Sequence, residues 1–194
     1  LYLVPIIGLL ILEPHLSASM VIIGIVSIMM IVAGCKFKHF VLTGLGAGSP
    51  LLFAAIAFSP YRLERFVTFL DPWKDATDSG WQVIQSLYAI GSGGLFGVGL
   101  GDSKQKYLYL PEAYTDFIFP IVVEDMGLIT GIVVILIYMI IIIRIFMIGL
   151  RSYNIVNRTI CYGVASYILL HVVVNLTGVL GLVPLTGVPL PFLS

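Results

Sequence analysis

From Phe117 to Ile143 the chain is an almost unbroken apolar stretch, longer than the roughly 20 residues a helix needs to cross a bilayer. Four more segments qualify in whole or in part. They are Leu1 to Leu12, about Ala18 to Gly34, Phe40 to Phe58 and about Thr159 to Leu182. Composition points the same way: 59% of the residues are hydrophobic and 10% charged, against about 25% charged in a soluble domain. The mean hydropathy is +1.09. The expected fold is an all-α polytopic membrane protein with five spanning helices. Residues 1–58 hold three of them, 59–115 form a large, partly helical extracytoplasmic loop, and 116–194 hold two more and an extracytoplasmic Pro/Gly turn. The chain opens on Leu1 and stops within a proline-rich apolar turn at Ser194, so it reads as part of a longer protein.

Ten basic and ten acidic residues cancel, which excludes a generalised nucleic-acid binder and moves attention to where the charges fall. Lys36 and Lys38 lie in one short loop; Arg144, Arg151 and Arg158 lie in another. Both loops are expected on the cytoplasmic side by the positive-inside rule. The opposite face then receives Glu13 to Ser17, the segment from Ser59 to Thr115, and the turn from Leu182 to Ser194. Two cysteines, Cys35 and Cys161, are too few for a disulfide framework and read as apolar packing.

The long outer segment is too apolar for a linker and reads as an ordered cap on the outer membrane surface. Trp81, Ile84, Leu87 and Tyr88 fall on one face at helical spacing, with Gln82, Gln85 and Ser86 elsewhere. Asp71-Pro72-Trp73-Lys74-Asp75 reads as a turn. Between Gly91 and Gly101 six glycines occur in eleven residues. That run lacks the preceding strand of a dinucleotide fingerprint and the Gly-Lys-Ser/Thr of a P-loop, so a re-entrant or surface loop is expected.

The chemistry concentrates in Gln105-Lys106-Tyr107-Leu108-Tyr109-Leu110-Pro111-Glu112-Ala113-Tyr114-Thr115-Asp116. Pro111 suits the first position of a helix, and Glu112 and Asp116 then share a face near its positive end. Either this is a solvated helix start or it is a site at the lipid edge. On one continuous helix Glu124 and Asp125 would lie about 12 Å deeper than Asp116. Acids at such depth face a polar cavity or a partner, where they pair structurally or position a cation. Arg62, Arg65, Lys104 and Lys106 either snorkel to head groups or hold a phosphate or pyrophosphate. His15 reads as a loop residue, and His171 and Asn175, one turn apart, as interhelical hydrogen-bonding groups.

Taken in order, Arg62-Leu63-Glu64-Arg65, Asp71-Pro72-Trp73, Gln82…Gln85-Ser86, Gly91-Ser92-Gly93-Gly94, Gln105-Lys106…Leu110-Pro111-Glu112…Thr115-Asp116-Phe117-Ile118-Phe119 and Pro184-Leu185-Thr186-Gly187-Val188-Pro189-Leu190-Pro191 resemble the SEDS family, nearest its FtsW and SpoVE branch and more distantly RodA. The likeness covers essentially the whole chain. It implies the later half of a ten-helix protein of the bacterial cytoplasmic membrane that polymerises lipid II into glycan strands, in division or sporulation. The earlier half is expected to hold a membrane-embedded Glu and Lys pair of the same site. Glu13-Pro14-His15-Leu16-Ser17-Ala18 departs from the family's Gln-Pro-Asp-Leu-Gly-Thr, and no site role is assigned to that turn. Glu124-Asp125-Met126-Gly127 keeps both acids of the common Glu-Glu-Leu-Gly.

The resemblance places the essential aspartate at Asp116, as general base on a sugar hydroxyl of the acceptor lipid II. Attack inverts the anomeric carbon of the donor glycan and releases undecaprenyl pyrophosphate. Lys106, Arg62, Gln105 and Glu112 are expected to bind substrate, and Glu124 and Asp125 to line a polar cavity. A divalent cation, magnesium or manganese, is expected between Asp116 and pyrophosphate, with no organic cofactor. A class B penicillin-binding protein, a transpeptidase, is the expected partner. Two other classes compete: a flippase or transporter for the lipid carrier, which needs polar groups in both leaflets, and a non-catalytic division scaffold, in which Asp116 is dispensable.

Overall fold

The computed structural model describes residues 16–35, 38, 68–76, 80–105 and 115–194. The described residues are helical with no strand: α1 (Leu16–Val32), a 3-10 helix (Pro72–Asp75), α2 (Trp81–Gly93), α3 (Ile118–Arg151) and α4 (Ile155–Val179). α3 and α4 are each long and apolar enough to cross a membrane. The second, fourth and fifth expected spans fall on α1, α3 and α4. The first and third, at 1–12 and 40–58, lie outside the described residues.

The chain divides into two compact units, Leu1–Arg62 with Ile141–Leu170, and Leu63–Ile140 with His171–Ser194. In the first, α1 and α4 pack through glycines. A methyl group on Gly24 would stand 2.9 Å from Leu170 Cδ1, and one on Gly163 would stand 2.9 Å from Met29 Sδ. Residues 24 and 29 thus meet 170 and 163, so the two helices run antiparallel, with bare backbone on one meeting a long side chain on the other. Phe146 and Tyr162 pack tilted at 57°, with 4.7 Å between ring centroids.

In the second unit α3 is not a straight rod. Gly127 has φ 89° and ψ 167°, a conformation that essentially only glycine adopts. A methyl group on Gly131 would lie 2.7 Å from Val123 Cγ2 and 3.3 Å from Phe119 Cζ. On a continuous helix residues 119 and 131 are about 18 Å apart, so the chain folds back at Gly127. A short arm, 118–126, packs against a long arm, 128–151. At about 1.5 Å per residue the long arm alone reaches about 36 Å, enough for the hydrocarbon core.

Breaking a helix orphans carbonyls on one side and N–H groups on the other. Here the glycine run supplies both sets of partners. Val98 and Gly99 N–H donate to the carbonyls of Glu124 (2.9 Å) and Asp125 (3.1 Å), while Leu128 and Ile129 N–H donate to the carbonyls of Gly94 (2.9 Å) and Leu95 (3.4 Å). The approach is so close that a methyl group on Gly127 would stand 2.3 Å from Leu95 O, and one on Gly97 (φ +83°) 2.2 Å from Asp125 O. The glycines of Gly91 to Gly101 therefore let one backbone splice into another.

α2 buries Val83, Ile84, Gln85, Ser86, Ala89 and Gly93. Of the face marked by apolar spacing it buries Ile84 but exposes Leu87 and Tyr88. The buried polar residues explain the exchange, since Ser86 Oγ donates to Val179 O at 2.6 Å and so occupies an orphan carbonyl at the end of α4. That end closes as a Schellman turn, with Gly181 N–H on Gly178 O, Leu182 N–H on Thr177 O, and Gly181 at φ +66°. Tyr88 meets Trp73 edge-on at 6.1 Å, which fastens the 3-10 helix to α2.

Beyond Leu182 the chain packs back against the helices. Asn175 holds Val188 O at 2.8 Å, and Tyr138, well along the long arm, donates its hydroxyl to Pro191 O. The proline-rich segment re-enters beside the helices, and side-chain donors satisfy carbonyls that its own prolines cannot pair.

Candidate functional site

Asp116 stands two residues before the short arm of α3, in the turn 115–117, where the positive helix end favours a carboxylate. It lines a cleft of about 140 Å³ with Gln82 of α2, Asn175 at the end of α4, and Leu185, Thr186 and Gly187 of the re-entrant segment. Asn175 is 4% exposed and uses both amide protons, donating to Asp116 O at 2.7 Å and Val188 O at 2.8 Å. Its Oδ1 is buried and accepts no hydrogen bond from the described residues. One side chain thus ties the aspartate's backbone to the segment opposite. Gly187 (φ +62°) completes the wall: a methyl group there would stand 3.4 Å from Asp116 Oδ2. The carboxylate packs against bare backbone.

Glu124 and Asp125 form a separate cluster at the break of α3. Glu124 is 2% exposed. Its carboxylate accepts from Ser103 Oγ (2.5 Å) and Lys104 N–H (3.2 Å), with Ser92 Oγ at 3.4 Å. Asp125 Oδ1 accepts from Ser103 N–H at 3.1 Å. The two acids fasten the chain where it leaves the glycine run. The continuous helix that would put them about 12 Å beyond the level of Asp116 is broken at Gly127. Because α3 folds back, they sit at the break beside Leu128 and Ile129, and Asp116 lies on the Gly131 to Tyr138 side.

Gln105 follows this fastened turn, partly buried, with its Oε1 enclosed and without a hydrogen bond from the described residues. It lines no part of the Asp116 cleft. Lys106, Arg62 and Glu112 lie outside the described residues. For the expected cation, the described residues hold no group of three His, Cys, Asp or Glu side chains able to hold a metal ion. The cleft offers one carboxylate with amide and carbonyl oxygens, a donor set that substrate phosphates and waters would complete around a magnesium ion.

The sequence reading named Asn175 as an interhelical hydrogen-bonding group and gave Gln82 and Gly187 no role. An amide inside an apolar helix was a usable signal, because a buried polar group must find partners. Which partners it finds depends on a segment turning back from 182 to 194, and no local pattern announces that.

The geometry has counterparts. The chain is 42% identical over 182 residues to the stage V sporulation protein E of Bacillus subtilis, covering 94% of this chain and 50% of that protein. It is 44% identical over 191 residues to a Coxiella burnetii protein named probable peptidoglycan glycosyltransferase FtsW, covering 96% and 51%. A solved structure from a peptidoglycan synthase complex that coordinates polymerization and crosslinking superposes with a TM-score of 0.78 at 29% identity, covering 99% of this chain and 53% of that one. The chain spans about half the length of the curated relatives it matches. A family model described as cell cycle protein, for FtsW, RodA and SpoVE, matches residues 1–194, and the chain belongs to that family.

Proposed function

We propose that the protein containing this chain is a peptidoglycan glycosyltransferase that polymerises lipid II at the outer face of the bacterial cytoplasmic membrane, with Asp116 as general base. The observation that carries the reading is the setting of Asp116. Its carboxylate meets a glycine wall in a cleft beside a spanning helix, and Asn175 anchors its backbone. A base must come within about 2.6 to 3.2 Å of the proton it takes, and a bare glycine beside it leaves room for a sugar hydroxyl. The proton passes to Asp116 as the acceptor oxygen bonds to the anomeric carbon of the donor glycan. The bond from that carbon to undecaprenyl pyrophosphate breaks on the opposite face, inverting the centre.

The leaving pyrophosphate needs positive charge. Arg62 and Lys106 are assigned to it from the family pattern. The relatives named as glycosyltransferases support the activity, and the synthase complex supports a class B penicillin-binding protein as partner. The two spanning-length helices, with Arg144, Arg151 and Arg158 gathered at one end, support a multi-pass protein of the cytoplasmic membrane.

The deciding experiment is glycan polymerisation from purified lipid II by the full-length protein, with and without its transpeptidase. Wild type is compared with Asp116→Asn and Asp116→Ala. Loss of polymerisation in folded, membrane-inserted variants is expected; normal rates would overturn the assignment.

A further inference from the structure

From Leu128 to Ile143 every exposed residue on the long arm of α3 is apolar, and the next, Arg144, is charged. That belt is about 24 Å long at 1.5 Å per residue, close to a hydrocarbon core with its cationic edge at Arg144. Its other edge falls at the break, where the glycine run is spliced on and the N–H of Ile129 meets Leu95 O. At that level the loop holds large apolar side chains outward: Leu95 is 59% exposed, Phe96 82%, Val98 45% and Leu100 79%. The charges follow at once, with Asp102 and Lys104 both exposed.

We propose that the loop tip at Leu95, Phe96, Val98 and Leu100 is an anchor embedded in the outer leaflet at the hydrocarbon edge, covered by lipid. Three observations favour lipid over another occupant. The apolar tip is continuous with the belt of the spanning arm. The four splice bonds and the bond from Gly97 N–H to Gly93 O occupy the N–H groups of 97, 98 and 99 and the carbonyls of 94 and 95, which lowers the cost of holding the loop at the hydrocarbon edge. The order of apolar residues then charges matches the boundary between acyl chains and head groups. The anchor holds the segment that leads to Gln105 at a set height, because Ser103 and Lys104 are fastened to Glu124 and Asp125 directly above it.

The inference rests on the reading of α3 as a spanning helix, and the test separates the two. Nitroxide labels are placed by Phe96→Cys, Leu100→Cys, Ile137→Cys and Tyr153→Cys in the full-length protein, its other cysteines replaced. The protein is reconstituted in vesicles of phosphatidylethanolamine and phosphatidylglycerol, and collisions with oxygen and with a water-soluble nickel chelate are measured. Labels at 96 and 100 should meet oxygen more often than nickel, at a depth about 12 Å shallower than the label at 137, eight residues beyond Ile129. Nickel access at 96 and 100 equal to that at the fully exposed Tyr153 overturns the anchor. So does protection from both reagents, which would mean that the rest of the chain, a second copy or a partner helix covers the tip. If the label at 137 itself escapes oxygen, the spanning reading fails and the anchor falls with it.

Discussion

Two carboxylates flank the short arm of α3, and they live in opposite surroundings. Glu124, at its end, is buried and ringed by a serine hydroxyl at 2.5 Å, a backbone N–H and a second serine. Asp116, before its start, is partly exposed to a cleft, with its anchoring done through its backbone carbonyl by Asn175 and its carboxylate set against Gly187. An acid enclosed by donors from its own chain is committed to holding those donors. Asp116 has its main chain tied by Asn175 and one edge of its carboxylate against a bare glycine that lines the cleft. Both are acids at one helical arm, and neither spacing nor charge separates them; burial at the break and exposure to the cleft do.

The contrast is sharpest in activity. Asp116→Asn should lower lipid II polymerisation by about 10²- to 10⁴-fold, the span of a general base, with thermal stability in detergent little changed. A large loss of stability with the activity loss would move Asp116 into Glu124's class. Next comes the break itself. Gly127→Val puts a β-branched side chain at φ +89° and within 2.3 Å of Leu95 O, and should cost about 3 kcal/mol or more, read as a lowered unfolding midpoint or poor membrane yield. Wild-type stability in that variant would mean the fold-back is not the native path.

Glu124→Ala removes the buried carboxylate that accepts from the Ser103 hydroxyl and Lys104 N–H, so a destabilisation of about 1 to 3 kcal/mol is expected, with any remaining folded protein still turning over. Asn175→Ala should show a mixed pattern that bridges the two regions. It frees the carbonyls of Asp116 and Val188, so kcat falls about tenfold while KM for lipid II holds, a loss of about 1.4 kcal/mol in transition-state positioning. An effect on KM alone would make it a binding residue instead. The smallest effect is expected for Ser86→Ala, which removes one bond to Val179 O and should cost about 1 kcal/mol in melting with no change in turnover.

Much of the helical content was legible. Long apolar stretches marked α1, α3 and α4, the 3.6-residue spacing marked α2, and Asp116 stood out as an acid at the start of an apolar helix. What hid was non-local. Gly127 sits in an apolar run where a glycine is tolerated, and its break becomes affordable because a loop some thirty residues earlier supplies partners for Glu124, Asp125, Leu128 and Ile129. Without that, Glu124 and Asp125 read as one continuous helix with the apolar run beyond them, rather than as the acids at its break. The packing of the proline-rich segment against the helices is likewise not legible locally, since it depends on Asn175 and Tyr138, remote in sequence from its carbonyls.

The splice at Gly127 also bears on how this part of the molecule opens. Amides in the first turn of a helix ordinarily exchange with solvent deuterium quickly, having no carbonyl one turn back. Leu128 and Ile129 are in that position, yet their N–H groups are held by Gly94 and Leu95, and Val98 and Gly99 are held in return. None of the four is released without disturbing the others, so they should form one cooperative opening unit. Deuterium uptake at 98, 99, 128 and 129 would then proceed at a single shared rate, slower than uptake at the free start of an ordinary helix.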